Sequence, residues 1–183
     1  NNDTAQGGVI RTSGSSGVSL TLNQCVFKSN VGKDTLFSNK IASYTNGAAI
    51  YWNACGTDLQ GNRSAITITD CQFINNTIIY SGASVEDGCG GAIYNEAFMT
   101  INSNTTSNFT LSETTPGNIR GNLIAGNTAS NMGGGIMVPT YSGGMSAHEG
   151  YGATLTLDES VFIINNKANK GGGIAMSVGL GSV

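Results

Sequence analysis

The residues able to do chemistry are few and scattered. Asp70, Asp158 and Glu159 stand beside strand-like phrases, and Glu86 and Asp87 are neighbours in a loop-like stretch. Carboxylates clustered with Lys or Arg on one face could hold calcium or act as acid and base on a polysaccharide. Asp70 and Glu159 fall in equivalent places of two repeated phrases, but no Lys or Arg shares that place. They are expected, with Asp158, Glu86 and Asp87, to be solvated polar positions. His148, the single histidine, lies in a glycine-rich insert without a nucleophile elbow and reads as a surface-loop residue. Gly133-Gly-Gly135 lacks the Lys-Ser/Thr pair of a phosphate loop. The expectation is no catalytic residue, no cofactor and no metal, and a carbohydrate-active enzyme is the competing reading.

Four cysteines, Cys25, Cys55, Cys71 and Cys89, allow three disulfide pairings. Cys25 and Cys71 hold the same place in two phrases that align without a gap. If those phrases stack, their Cα atoms lie about 4.8 Å apart, inside the range a disulfide spans; a pair of buried thiols is the other outcome. No Cys-x-x-Cys pair or nearby histidine suggests a metal. Asn2, Asn62, Asn75, Asn104 and Asn108 each begin an Asn-x-Ser/Thr triplet that could carry a glycan in a secreted protein. Tyr51, Trp52, Tyr80, Tyr94, Tyr141 and Tyr151 gather near glycine phrases and loops. They are either packing residues or a glycan-contacting face.

What positions these residues is a repeat. Gly7-Gly-Val-Ile10, Gly47-Ala-Ala-Ile50, Gly90-Gly-Ala-Ile93, Gly133-Gly-Gly-Ile136 and Gly171-Gly-Gly-Ile174 place their isoleucines 40, 43, 43 and 38 residues apart. An aromatic residue or Ile followed two residues later by Asn appears as Phe27 to Asn30, Phe73 to Asn76, Ile124 to Asn127 and Phe162 to Asn165. Apolar-Thr-apolar appears as Leu20-Thr-Leu22, Ile66-Thr-Ile68, Phe109-Thr-Leu111 and Leu155-Thr-Leu157, with Ser112 to Leu123 inserted in the third copy. The order of the phrases is the same in every unit. Alternation of this kind has the period of a strand with one buried face, and Gly, Asn and Ser between the runs suit turns.

Three short strands per unit in constant order predict an all-β, single-stranded parallel β-helix, a solenoid with loop insertions between its strands. A β-sandwich or propeller remains the alternative, although few two-residue hairpin signals appear. In the solenoid like sits over like. Phe27, Phe73, Ile124 and Phe162 then form an internal apolar ladder, and Asn30, Asn76, Asn127 and Asn165 an amide ladder at a corner.

The paired phrases Phe73-Ile-Asn-Asn76 and Gly90-Gly-Ala-Ile93 resemble the repeat motifs of chlamydial polymorphic outer-membrane proteins and similar autotransporter-type passengers. The resemblance covers nearly the whole chain as scattered short phrases. It implies a right-handed β-helix and a surface-exposed adhesive stalk. Unlike those proteins this stretch carries no carboxyl-terminal outer-membrane barrel, and its Asn-x-Ser/Thr triplets suit a eukaryotic secreted protein as well.

The 183 residues suffice for a single domain, residues 1–183, with a real core. Only 10% are charged and 27 are glycine, a composition suited to a rigid repetitive protein at the cell surface or outside it. A net charge of −3 without a basic cluster argues against nucleic acid, and no apolar run is long enough for membrane insertion by a helix. Residue 1 falls partway through a repeat. The expectation is therefore a segment of a longer array or a filament subunit. Its partners would be neighbouring repeats or further copies stacked head to tail, with glycans as possible ligands.

Overall fold

The structure, a computed structural model, describes residues 3–4, 8–13, 17–33, 36–37, 40–41, 45–53, 64–82, 87–104, 121–140 and 153–178. Among these residues every regular element is a β-strand. Numbered in chain order, nineteen strands fall into four parallel sheets and one hairpin. The first sheet holds β3 (Ser19–Asn23), β9 (Ala65–Thr69), β13 (Phe98–Asn102) and β17 (Thr154–Leu157). The second holds β4 (Val26–Lys28), β10 (Gln72–Ile74), β14 (Asn122–Ala125) and β18 (Val161–Ile164). The third holds β1 (Asp3–Thr4), β5 (Val31–Lys33), β11 (Thr77–Ile79) and β15 (Thr128–Ala129). The fourth holds β2 (Ile10–Ser13), β8 (Ile50–Asn53), β12 (Ile93–Asn95), β16 (Ile136–Thr140) and β19 (Ile174–Val178).

The chain visits these sheets in a fixed cycle, first, second, third, fourth, and every strand pairs with its counterpart one repeat away. The pairing is parallel throughout the four sheets, so each cycle is one tier and strand neighbours are never sequence neighbours. Among the described residues only β6 (Leu36–Phe37) and β7 (Lys40–Ile41) pair antiparallel, as a small hairpin let into the connection between β5 and β8.

The inward side chains follow from the period of two. In β9, Ile66 and Ile68 are buried; in β13, Met99 and Ile101 are buried. Ile10, Ile50, Ile93, Ile136 and Ile174 stack in one column through the fourth sheet, as the glycine phrases predict. Phe27 lies over Phe73 and Phe73 over Ile124. These columns form one core cluster that also takes in Trp52 and Cys71.

The tier has four strands, not the three expected from the phrases. The missed strand is the short one of the third sheet, which follows the corner asparagine. Its residues, such as Val31-Gly-Lys33 and Thr128-Ala129, are too few and too mixed to show a pattern. The apolar-Thr-apolar strand of the third repeat is Met99-Thr-Ile101, paired on one side with Ile66-Thr-Ile68 and on the other with Leu155-Thr-Leu157. Phe109-Thr-Leu111, expected in that role, lies outside the described residues. Asn122 and Leu123, expected at the end of an insert, belong to strand β14.

The last tier departs from the expected alignment by one residue. Leu157 pairs with Ile101, but Ile163, not Phe162, stands over Ile124. The turn Asp158-Glu159-Ser160 therefore contains one residue more than the turn between Ile68 and Phe73. A shift of one residue exchanges the two faces of a strand. Phe162 accordingly points outward at 38% exposure, and the amide column ends on Asn166 instead of Asn165.

Candidate functional site

The corner between the second and third sheets carries the most ordered polar chemistry. Asn76 donates one Nδ2 hydrogen to Asn127 Oδ1 at 2.9 Å and another to the Phe27 carbonyl at 3.0 Å. Asn127 repeats this toward Asn166 Oδ1 at 2.8 Å and the Phe73 carbonyl at 2.9 Å. Asn30 donates to Asn76 Oδ1 at 2.8 Å, and Asn166 to the Ile124 carbonyl at 2.8 Å. The backbone N–H groups of Asn30, Asn76 and Asn127 also donate to the next tier's Oδ1. An amide supplies two donors and an acceptor that takes two bonds, so Asn satisfies this buried corner where a hydroxyl or an acid could not.

The residue just before each ladder asparagine turns the corner. Ser29, Asn75 and Asn165 have φ of 55°, 53° and 55°, and Gly126 has 64°. This left-handed backbone is what Asn and Gly tolerate. Asn165 is thus a turn residue of the same kind as Asn75.

Two of the carboxylates, Asp70 and Asp158, are fastened through a shared serine. Asp70, 2% exposed, accepts hydrogen bonds from the Ser103 hydroxyl and from the Gly121 N–H at 2.7 Å. Ser103 in turn gives its N–H to Asp158 Oδ2 at 3.0 Å, so one serine links the two acids. Asp158 also accepts from the hydroxyl and the N–H of Ser160. Partial burial works to raise the Asp158 carboxyl, but the Ser160 hydroxyl and the N–H groups of Ser103 and Ser160 outweigh it and hold it below its ordinary value. Asp158 and Glu159 are exposed, as expected, whereas Asp70 and Asp87 are buried and not the solvated positions the sequence suggested. Glu86 and His148 lie outside the described residues. Among the described residues no group of three or more His, Cys, Asp or Glu could hold a metal ion.

Cys25 and Cys71 occupy the same column, one tier apart, just before Val26 and Gln72. Both are thiols. Cys71 is fully buried, Cys25 half-buried, and the Cys25 N–H donates to Cys71 Sγ at 3.3 Å. Burial pushes the Cys71 thiol up to about 12. The next residue in the column is Asn122, whose Oδ1 accepts the Cys71 N–H at 2.9 Å. Asn122 was not singled out from the sequence. Its equivalence to two cysteines hides it, since the task it shares with Cys71, accepting the preceding tier's N–H, leaves no mark in residue type. Cys89 is buried with its thiol toward the Asp87 carbonyl, 3.5 Å away; Cys55 lies outside the described residues.

Of the aromatic residues near the glycine phrases and loops, Tyr51, Trp52 and Tyr94 are packing residues. Tyr51 and Tyr94 stack with ring centroids 5.2 Å apart, and the Arg11 guanidinium lies 5.0 Å from the Tyr51 centroid. Tyr51, Tyr94 and Trp52 are buried, so none of the three offers a face to a glycan. Tyr80 is half-buried, and Tyr141 and Tyr151 fall outside the described residues. Of the candidate glycosylation positions, Asn75 and Asn104 are exposed. Asn2, Asn62 and Asn108 lie outside the described residues.

Among the described residues, parallel sheets in matching register and internal ladders define an all-β repeat fold. Residues 70–96, running from Asp70 through the Asn76 corner to the Gly90-Gly-Ala-Ile93 phrase, match the family model of the Chlamydia polymorphic membrane protein repeat. No curated protein and no solved structure matches the chain.

Proposed function

We propose that this chain is a non-catalytic structural segment at the cell surface or outside the cell. Its four sheets wind as a right-handed, single-stranded parallel β-helix forming part of a stalk or filament. The single observation that carries this reading is the like-on-like register, of which the column from Ile10 to Ile174 is the longest run. Each tier rests only on its neighbours, an organisation that extends readily in one dimension. The match of residues 70–96 to a membrane-protein repeat supports a place at the cell surface.

Stacking of further tiers, from this chain or from a second copy, is favoured by the half-buried state of Leu155, Leu157, Ile163 and Ile174. Their counterparts Ile66, Ile68, Ile124 and Ile136 are at most 1% exposed. A further tier would cover them. The engagement of Asp70 by Ser103 and Gly121 favours a fastening role for that carboxylate over proton transfer.

Electron microscopy of the native material tests the reading. Rods or fibres of uniform width are expected. Compact globular particles would overturn the stalk, and release of reducing or unsaturated ends from an acidic polysaccharide would overturn the non-catalytic assignment.

A further inference from the structure

We propose that Cys25 and Cys71 form an inducible covalent staple between two tiers, closed by exchange with a small-molecule disulfide. The two residues are paired by the register of β4 with β10 and are in direct contact through the Cys25 N–H and Cys71 Sγ. Adjacent parallel strands hold such Cα atoms about 4.8 Å apart, within the disulfide range. Each thiol donates to the carbonyl two residues before it, Cys25 Sγ–H to Asn23 at 3.3 Å and Cys71 Sγ–H to Thr69 at 3.2 Å. Rotation of the Cys25 side chain turns one sulfur toward the other. Cys25 is the one with room to rotate, being half-buried while Cys71 is closed in the core.

The unequal exposure sets the order of events. The Cys25 thiolate attacks one sulfur of the oxidant, forming a mixed disulfide and releasing one thiolate. Cys71 then gives up its proton and its sulfur displaces the second thiol. The protein loses two hydrogens and the oxidant is reduced to two thiols, so the exchange balances. Burial that disfavours a Cys71 thiolate slows the second step but does not disfavour the finished bond, which carries no charge. Once closed, the staple ties the tier of β3 and β4 to that of β9 and β10 and bridges 46 residues of chain.

Incubation of the folded chain with oxidised glutathione, read by intact mass and by a non-reducing digest, tests this. Trypsin combined with a glutamate-specific protease separates Cys71 from Cys89 at Glu86. The expected result is loss of two hydrogens, a peptide joining Cys25 to Cys71, and a rise in Tm of about 5 °C that reductant reverses. Cys71→Ser should stop at a glutathione adduct on Cys25. If Cys71→Ser does not fold, Cys25→Ser serves, and Cys71 should then stay reduced in the folded chain. A glutathione adduct that persists on Cys25 of the parent chain, a link from Cys25 to Cys55 or Cys89, or no reaction at Cys25 and Cys71 would each overturn the proposal.

Discussion

The rings of Phe27 and Phe73 lie parallel, with centroids 4.9 Å apart and 4° between their planes. They sit one tier apart on strands separated by more than forty residues of chain. Only a strict register between β4 and β10 can bring them together in this way.

That register predicts unequal effects of two phenylalanine changes. Phe73 is fully buried and Phe162 is 38% exposed. Phe73→Ala should lower stability by about 3–5 kcal/mol, the cost of a large core deletion. Phe162→Ala should cost less than about 1 kcal/mol. Urea denaturation of the two variants checks the one-residue shift in the last tier, and equal large losses would contradict it.

The amide column predicts a similar contrast. Asn76→Ala removes the acceptor of the Asn30 N–H and Nδ2 groups and the donor to the Phe27 carbonyl. With buried partners left unsatisfied, a loss of about 2–4 kcal/mol is expected. Asn165→Gly, at a position already in left-handed backbone, should change stability by about 0.5 kcal/mol or less in either direction. Chemical denaturation monitored by circular dichroism measures both.

Gly90 has φ of 69°, and a Cβ there would meet the carbonyl of Ile93. Gly90→Ala should therefore destabilise by about 1–3 kcal/mol through strain and displacement of the backbone. A thermal melt reads this directly, and an unchanged Tm would show that the corner can rearrange.

Asp158 predicts an acid-dependent effect. Its carboxyl is held below its ordinary value of 3.8, so the folded state favours the charged form. The stability this confers is present above pH 3.8 and is lost as pH falls through the lower folded value. Asp158→Asn should be less stable than the parent at pH 7, and the gap should close in strong acid. Because the residue is exposed, the gap should be small and sensitive to salt. A gap that persists at the lowest pH would assign the effect to something other than ionisation.

Much of this fold was readable because stacking forces residue identity to recur. The isoleucine after each glycine phrase recurs in sequence and pairs in space at every tier. Phe27, Phe73 and Ile124 behaved likewise. What escaped notice had no identity to repeat. The strands of the third sheet are two or three residues long and put Gly32, Ile78 and Ala129 in one column. Phe162 misled because it matches the earlier phenylalanines in type, while the extra turn residue that displaces it leaves no compositional trace. Asp70 gave no sign of burial either. Its partners Ser103 and Gly121 lie 33 and 51 residues away.

The corner asparagines carry one more consequence. From Asn30 to Asn76, from Asn76 to Asn127 and from Asn127 to Asn166, the Nδ2 gives a hydrogen to the following tier's Oδ1. The amide-to-amide bonds therefore have a direction: each runs from an Nδ2 donor to the Oδ1 acceptor of the following tier. Any layer joining the column by the same bonds must arrive in the same sense, and a junction of two like faces could not repeat the column's amide-to-amide bonds.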